Sequence, residues 1–381
     1  MKISALMVLL FFLFSCSSEV EMENNIMTDL TFSFDTVMVD PKDEFIYLND
    51  RLFRSDISTD GKYLFNWNRN ANTLEKIDLN ELKLVEKIVY EKEGPDGIGS
   101  FVFDYATTED NNSLFWSYEG KGIWDQNGKL LRKFPIDKIL ENTEFSKEVL
   151  LSKIALYSNN PNKILTLYRK WIGNNFYFLI FDFQDNSFRK IELPELEKLS
   201  EFQVNIMYDG DWAGSFNAGV SNSIGNNKLI LTMNSFNEAY IYDMTQDSLY
   251  QKVWDGPLVG SKKSIKLIKE VEGESSQHWE MARLAEEDIN YGQFIWDNQN
   301  RKYYRFSAKR IFGEEKTEFG MYKAISAEVF LSVFDEDFNL TAETKVKELK
   351  DKPAMHFVKD GKIWLFENID DELAFVKMTI N

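Results

Sequence analysis

Thiol chemistry is almost absent from this chain: its 381 residues contain a single cysteine, Cys16. That excludes an intrachain disulfide and any metal site built from several thiolates. Histidine is nearly as scarce, with His278 and His356 alone. Neither falls in a His-Glu-x-x-His pattern, and the chain has no nucleophile elbow and no phosphate loop. His278 lies in Ser275–Glu287, which reads as a capped amphipathic helix, and His356 in an apolar strand, where a satisfied core residue is expected. Basic residues are outnumbered, 44 Lys and Arg against 62 Asp and Glu, for a net charge of −18. Nucleic-acid binders need clustered cations, so no nucleic-acid partner is expected. Asp209-Gly210-Asp211 lacks the ladder and terminal Glu of a calcium loop, and Ser58-Thr59-Asp60-Gly61 does not complete a sialidase-type Asp box. No metal and no cofactor is expected. A Pro/Gly-rich linker that would divide the chain into domains is also missing.

What is present begins at the N-terminus. Met1-Lys2 is followed by an apolar run from Ile3 to Phe14, then Ser15. A cationic start, a short apolar core and a small residue before the cut describe a secretory signal peptide over residues 1–15. The run is shorter than the roughly 20 residues a spanning helix needs. Leu13-Phe14-Ser15-Cys16 resembles a bacterial lipobox. The resemblance implies cleavage before Cys16 and acylation of that cysteine with diacylglyceryl and palmitate-type chains. The membrane is thus an expected partner through Cys16, with residues 16–30 as an acidic tether. The expected address is the cell envelope, on the outer membrane.

Beyond residue 30 the pattern is short alternating strands broken by Asn, Asp and Gly. A polar turn leading into an apolar strand recurs at Asp60-Gly61, Asn111-Asn112, Asn160-Pro161, Asn226-Asn227, Asn298-Gln299 and Asp360-Gly361. A second signal, an apolar strand ending in Asp, follows at Asp78, Asp125, Asp182, Asp243 and Asp335. The last unit runs out after its third strand, and one spare strand, Phe32–Val39, stands at the N-terminus. A ring in which the N-terminal strand completes the last sheet accounts for both. The expected fold is therefore all-β, a six-bladed β-propeller over residues 31–381, with a short helical insertion near residues 275–290.

The lipobox, the Glu93-Gly94-Pro95-Asp96-Gly97-Ile98-Gly99-Ser100-Phe101 loop, and Phe294-Ile295-Trp296-Asp297 with Arg301-Lys302-Tyr303-Tyr304-Arg305-Phe306 carry a resemblance. The chain resembles the six-bladed β-propeller lipoproteins of Bacteroidetes, a family with many domains of unknown function. The resemblance implies fold and location and brings no activity with it.

In such a ring the first-to-second and third-to-fourth strand turns are short, and the other connections are long. The loop between the second and third strands of the fifth blade is expected over Ser307–Ala327. Long loops on a rigid scaffold are where binding usually resides. The loops on that face carry Trp67 and Arg69, Tyr118 and Lys121, Arg169 with Lys170 and Trp171, Phe236, and Lys309 with Arg310. Cations and aromatics at equivalent loops of an acidic chain suit a ligand with negative charge and a flat or sugar-like face. The plainer reading has the cations reaching into water and the aromatics capping blade packing. The expected function is a ligand- or protein-binding envelope module or scaffold. The rival is a glycan or peptide hydrolase or lyase with paired carboxylates in the channel.

Overall fold

In a computed structural model the described residues are 26–146, 149–157, 160–169, 175–216, 219–273 and 276–381. Cys16, Lys170 and Trp171 lie outside them. The first strand, β1, is Phe32–Met38. The first sheet is β2 (Ser55–Ile57), β3 (Tyr63–Asn68), β4 (Thr73–Asp78) and β5 (Lys83–Val89). The second is β6 (Val102–Thr107), β7 (Ser113–Ser117), β8 (Lys121–Trp124) and β9 (Leu130–Lys133). A short helix, α1 (Ile136–Leu140), leads to the third: β10 (Val149–Tyr157), β11 (Asn160–Arg169), β12 (Phe176–Asp182) and β13 (Ser187–Glu192). After β14 (Val204–Tyr208) and β15 (Asp211–Phe216) comes the fourth: β16 (Val220–Gly225), β17 (Lys228–Met233), β18 (Glu238–Asp243) and β19 (Ser248–Val253). After β20 (Glu270–Glu272) and α2 (Gln277–Glu287) comes the fifth: β21 (Asn290–Asp297), β22 (Lys302–Lys316), β23 (Tyr322–Phe334) and β24 (Leu340–Lys345). The sixth holds β25 (His356–Lys359), β26 (Lys362–Ile369) and β27 (Glu372–Ile380).

The fold is all-β, built of four-stranded antiparallel sheets in a propeller-like order. In the sixth sheet β1 supplies the fourth strand. It pairs with β27 from Phe32 opposite Ile380 to Met38 opposite Ala374. The inserted strands form a smaller sheet, with β14 between β15 and β20.

The second strand of each sheet shows why the sheets stack. Successive side chains point to opposite faces, and here both faces are buried. Leu64 packs toward the sixth sheet while Phe65 packs toward the second. Ile164 joins the second-sheet side and Leu165 the fourth-sheet side. Tyr303 and Tyr304 divide in the same way between the fourth and sixth sheets. These strands therefore read as largely apolar runs, broken by single buried polar residues such as Asn66, Thr166 and Arg305.

The repeated Asp residues close the turns after the third strands. Asp78 Oδ1 accepts from the Asn80 and Glu81 N–H groups at 2.8 and 2.9 Å. Asp125, Asp182, Asp243 and Asp335 accept from the backbone two residues on in the same manner. This is the Asx-turn device.

Three expectations change. Ser307–Ala327 is no loop: β22 and β23 continue as a hairpin, with Arg310 opposite Ala327. Phe306, Ala308, Ala327 and Val329 are buried on them, and the pairing runs on to Lys316 opposite Tyr322. Helix α2 forms where expected, but Ser276 gives it no side-chain cap. At the end of the expected tether, Met27 bridges Ala342 on β24, and Leu30 packs into the apolar cluster between the fifth and sixth sheets.

Candidate ligand-binding end

Antiparallel order sorts the connections. Turns between first and second strands, and between third and fourth, lie at one end of every sheet. Turns between second and third strands, and the connections from sheet to sheet, lie at the other. The inserted sheet, both helices and the β22–β23 hairpin tip belong to this second, long-connection end.

At that end, before the first strand of the first sheet and in the β7–β8 turn of the second, aromatic side chains stand in the open. Phe53 is 77% exposed and Tyr118 70%. Between them the contacts are continuous. The Arg54 guanidinium lies 5.6 Å from the Phe53 ring and 5.7 Å from that of Phe101. Phe101 meets Phe103 at 5.0 Å, and Phe103 meets Tyr118 at 4.4 Å, both edge to face. Edge-to-face pairs and cation–π contacts hold the rings in fixed orientations. Arg54 is itself held: its Nε donates to the Val102 carbonyl at 2.9 Å and its Nη1 to Asp50 at 2.8 Å. Asp50 also pairs with Arg69 at 3.1 Å, and Arg69 Nε donates to the Tyr47 hydroxyl at 3.1 Å. Below, the buried Glu75 carboxylate accepts from the Tyr47 N–H and from Asn66 Nδ2. Burial raises the pKa of Glu75, while these hydrogen bonds and Lys87 oppose the shift.

Beside the strip opens a cleft of about 420 Å³ between the Glu91–Ser100 loop and Glu119–Lys121. Its wall is rigid. A Cβ on Gly97 would lie 2.7 Å from the Lys92 carbonyl oxygen, and one on Gly120 2.5 Å from that of Ile98. Trp124 Nε1 donates to the Asp96 carbonyl at 2.7 Å, and Ser100 Oγ to Glu119 at 3.0 Å. That bond leads the causes that lower the Glu119 pKa.

A cleft of about 480 Å³ lies at the short-turn end, between the third and fourth sheets. Its charges already pair among themselves, Arg189 with Asp247 and Lys163 with Asp182.

Residues 27–345 match the sequence profile of DUF4221, a domain of unknown function. The chain belongs to the DUF4221 family. A crystal structure of a DUF4221 member from Bacteroides vulgatus superposes with a TM-score of 0.68 at 15% identity, covering 93% of this chain and 98% of that one. A putative exported protein from Bacteroides fragilis superposes with a TM-score of 0.51 at 9% identity, over 93% and 98% of the two chains. At such identities the likeness concerns the fold. A comparison with curated proteins finds none that matches.

In this DUF4221 chain the expected site residues separate. Arg69 reaches the aromatic strip only through Asp50, which it shares with Arg54, and Tyr118 ends the strip against Phe103. Lys121 lines the adjacent cleft, with its ammonium paired to Asp137 at 3.1 Å. Trp67 is buried, 4.9 Å from Phe115, and Phe236 is buried 5.3 Å from Phe202. Their rings fill sheet interfaces, so neither offers a stacking face. Arg169 lies over Phe176 at 5.4 Å on the third sheet, and burial lowers its pKa. Arg310 projects from the fifth-sheet hairpin, 3.6 Å from Glu286. The cations thus sit against separate partners.

Phe53, Arg54, Phe101 and Phe103 of the strip are not among the residues expected from the sequence. Phe53, Arg54 and Phe101 stand just before the first strands of their sheets, and Phe103 is the second residue of one. Asp56 and Asp104, on the first strands, accept from the Thr107 and Ile154 N–H groups of the following sheets at 2.9 and 3.1 Å. Their role is to tie neighbouring sheets. Among the described residues no group of three or more His, Cys, Asp or Glu side chains is placed to hold a metal. No helix among them is long and apolar enough to cross a membrane.

Proposed function

We propose that this protein is an exported, lipid-anchored binding module of the cell envelope, attached through Cys16 to the outer membrane. Its body is a six-bladed propeller, residues 31–381. It captures a ligand with a flat apolar face, a saccharide ring being the natural probe, on the aromatic strip of the long-connection end. The observation that carries this reading is the strip itself: exposed rings held rigid by Arg54 and by one another, beside a glycine-walled cleft. Exposed apolar patches with a polar border mark interaction sites.

Ring closure is supported by the apolar clusters. They join each sheet to the next, and the last unites Leu64, Ile77 and Leu84 of the first sheet with Phe357, Trp364 and Phe375 of the sixth. Export is supported by the residue 1–15 leader and agrees with the description of the Bacteroides fragilis relative. Orientation follows from topology. Thr31 meets Asn381 at the short-turn end of β1, and Met27 meets β24 close by. A lipid on Cys16 therefore tethers the short-turn end and leaves the long-connection end pointing away from the membrane.

The test is binding of a saccharide panel to the full chain and to a variant carrying Phe53→Ser, Phe101→Ser and Tyr118→Ala. We expect binding that the triple variant loses. A panel without a binder, or a variant that binds like the parent, overturns the reading.

A further inference from the structure

The cleft beside the strip holds charge that is balanced but not paired. Its volume of about 420 Å³ lies within the roughly 300–1,000 Å³ usual for small-molecule sites. Lys92, Glu93, Glu119 and Lys133 all line it, and among the described residues none of the four makes an ion pair. The short-turn cleft differs, since its Lys163, Asp182, Arg189 and Asp247 pair with one another.

Glu119 and Lys121 both line the cleft, two residues apart and opposite in charge, yet they do not pair with each other. Each is held by other groups. The Glu119 carboxylate accepts from the Ser100 hydroxyl on Oε1 at 3.0 Å and from the Ser100 N–H on Oε2 at 3.3 Å. It lies so close over Gly99, at φ 91°, that a Cβ there would meet Oε2 at 2.5 Å. The Lys121 ammonium donates to the Tyr118 carbonyl at 3.0 Å and to Asp137 at 3.1 Å, and its side chain is only 12% exposed. One of its three N–H groups remains, and the ionised carboxylate keeps acceptor capacity beyond its bonds from Ser100. A fixed acceptor and a fixed donor thus border one cleft, each with capacity to spare. A hydroxyl both donates and accepts, so it can serve the two at once. The pair is continuous with the strip. Ser100 precedes Phe101, and Glu119 follows Tyr118, whose ring meets Phe103 at 4.4 Å.

We propose that this cleft is the polar subsite of the strip and that its ligand is a neutral hexopyranoside, stacked at Tyr118 with a ring hydroxyl between Glu119 and Lys121. The inference deepens the reading of the strip as a saccharide surface and rests on it. Two unpaired charges of each sign select against the anionic ligand that the loop cations alone suggest. A ligand carboxylate at Glu119 would meet like charge and bring no hydrogen-bond donor.

Calorimetric titration of the full chain tests this, with methyl glucoside, galactoside and mannoside, the uronate of the best-binding ring, and glycine as a zwitterion. We expect the best hexoside to bind at least about tenfold more tightly than its uronate or glycine, the scale of one charge-assisted hydrogen bond. Glu119→Ala and Lys121→Met should each weaken the hexoside by about tenfold or more, and Glu119→Ala should narrow its margin over the uronate. Tyr118→Ala should weaken neutral and acidic sugars alike. A hexoside that Tyr118→Ala loses but Glu119→Ala and Lys121→Met keep overturns the subsite and leaves the strip reading standing. A uronate or glycine that binds as tightly as the best hexoside also overturns the subsite. Absence of binding by every sugar overturns both readings. Should either variant fail to fold, deoxy analogues of the hexoside decide on the parent. Loss of one particular hydroxyl should then cost about tenfold, and equal small losses at every position overturn the subsite.

Discussion

Two halves of one end differ in how they treat arginine. Over the first and second sheets, Arg54 and Arg69 share Asp50, and Arg54 spends its flat face on Phe53 and Phe101. Charge there is matched, and apolar rings face water. Over the fifth and sixth sheets, Arg310 pairs with Glu286 at 3.6 Å, and Ile311, Phe319 and Ile325 of the β22–β23 hairpin stand exposed. The stacked guanidinium lies at the approach to a first strand in one half, and the ion-paired one on an extended second strand in the other. Fold thus fixes where a site can be, and local pairing decides what it can bind.

The sixth sheet joins these halves, so breaking it should have the largest effect. Deleting residues 32–39 removes β1 from β27 and exposes the β27 edge. We expect loss of cooperative unfolding by calorimetry. A deletion that melts like the parent would mean the halves are joined some other way.

Next come the buried carboxylates beneath each half. Glu75 holds the Tyr47 N–H in one, and Glu343 holds the Leu258 and Val259 N–H groups in the other. Glu75→Ala and Glu343→Ala should each cost about 3 kcal/mol in urea unfolding, because buried donors lose their acceptor. If the halves are independent, the double variant should be additive within about 0.5 kcal/mol. A larger coupling would merge them into one unit.

A smaller effect separates the halves by pH. Burial holds the His356 pKa below its ordinary value of about 6.5. As pH falls below that value, the unfolded chain takes up the proton before the folded one, so stability drops on the acid side. His356→Phe should remove that drop. Glu75 has the opposite sign: its raised pKa lets the folded state hold a proton longer, so its contribution declines as pH rises through the shifted value. Glu75→Gln should flatten that decline. Melting curves from pH 4 to 8 in about half-unit steps check both.

The smallest effect on stability should come from the strip. Tyr118→Ala touches an exposed ring and should move unfolding by no more than about 0.5 kcal/mol.

Much of the frame was legible because it rests on local chemistry. Asp at strand ends and Asn or Gly in tight turns announce hairpins, and Asn226 and Asn227 at φ 50° and 55° do so in the left-handed region. The spare strand Phe32–Val39 pointed to its partner because the last unit was one strand short. What stayed hidden depends on packing between sheets. Trp67 and Phe236 look like loop aromatics, yet a ring at a strand end can fill the neighbouring interface. Arg305 sits in an apolar motif and is wholly buried among Trp254, Tyr291, Phe294 and Phe334. Its surroundings come from its own sheet and, through Trp254, from the connection after the fourth. Phe53 and Phe101 touch only through Arg54, and no period in the sequence encodes that meeting.

The central claim is that the aromatic strip of the long-connection end is the binding surface. Spectra of ring-labelled Phe and Tyr, recorded during titration with the best saccharide of the panel, test it most directly. The account predicts shifts at Phe53, Phe101 and Tyr118, with Tyr157 and Phe188 of the short-turn cleft unmoved. Shifts at Tyr157 and Phe188 with a silent strip would contradict it.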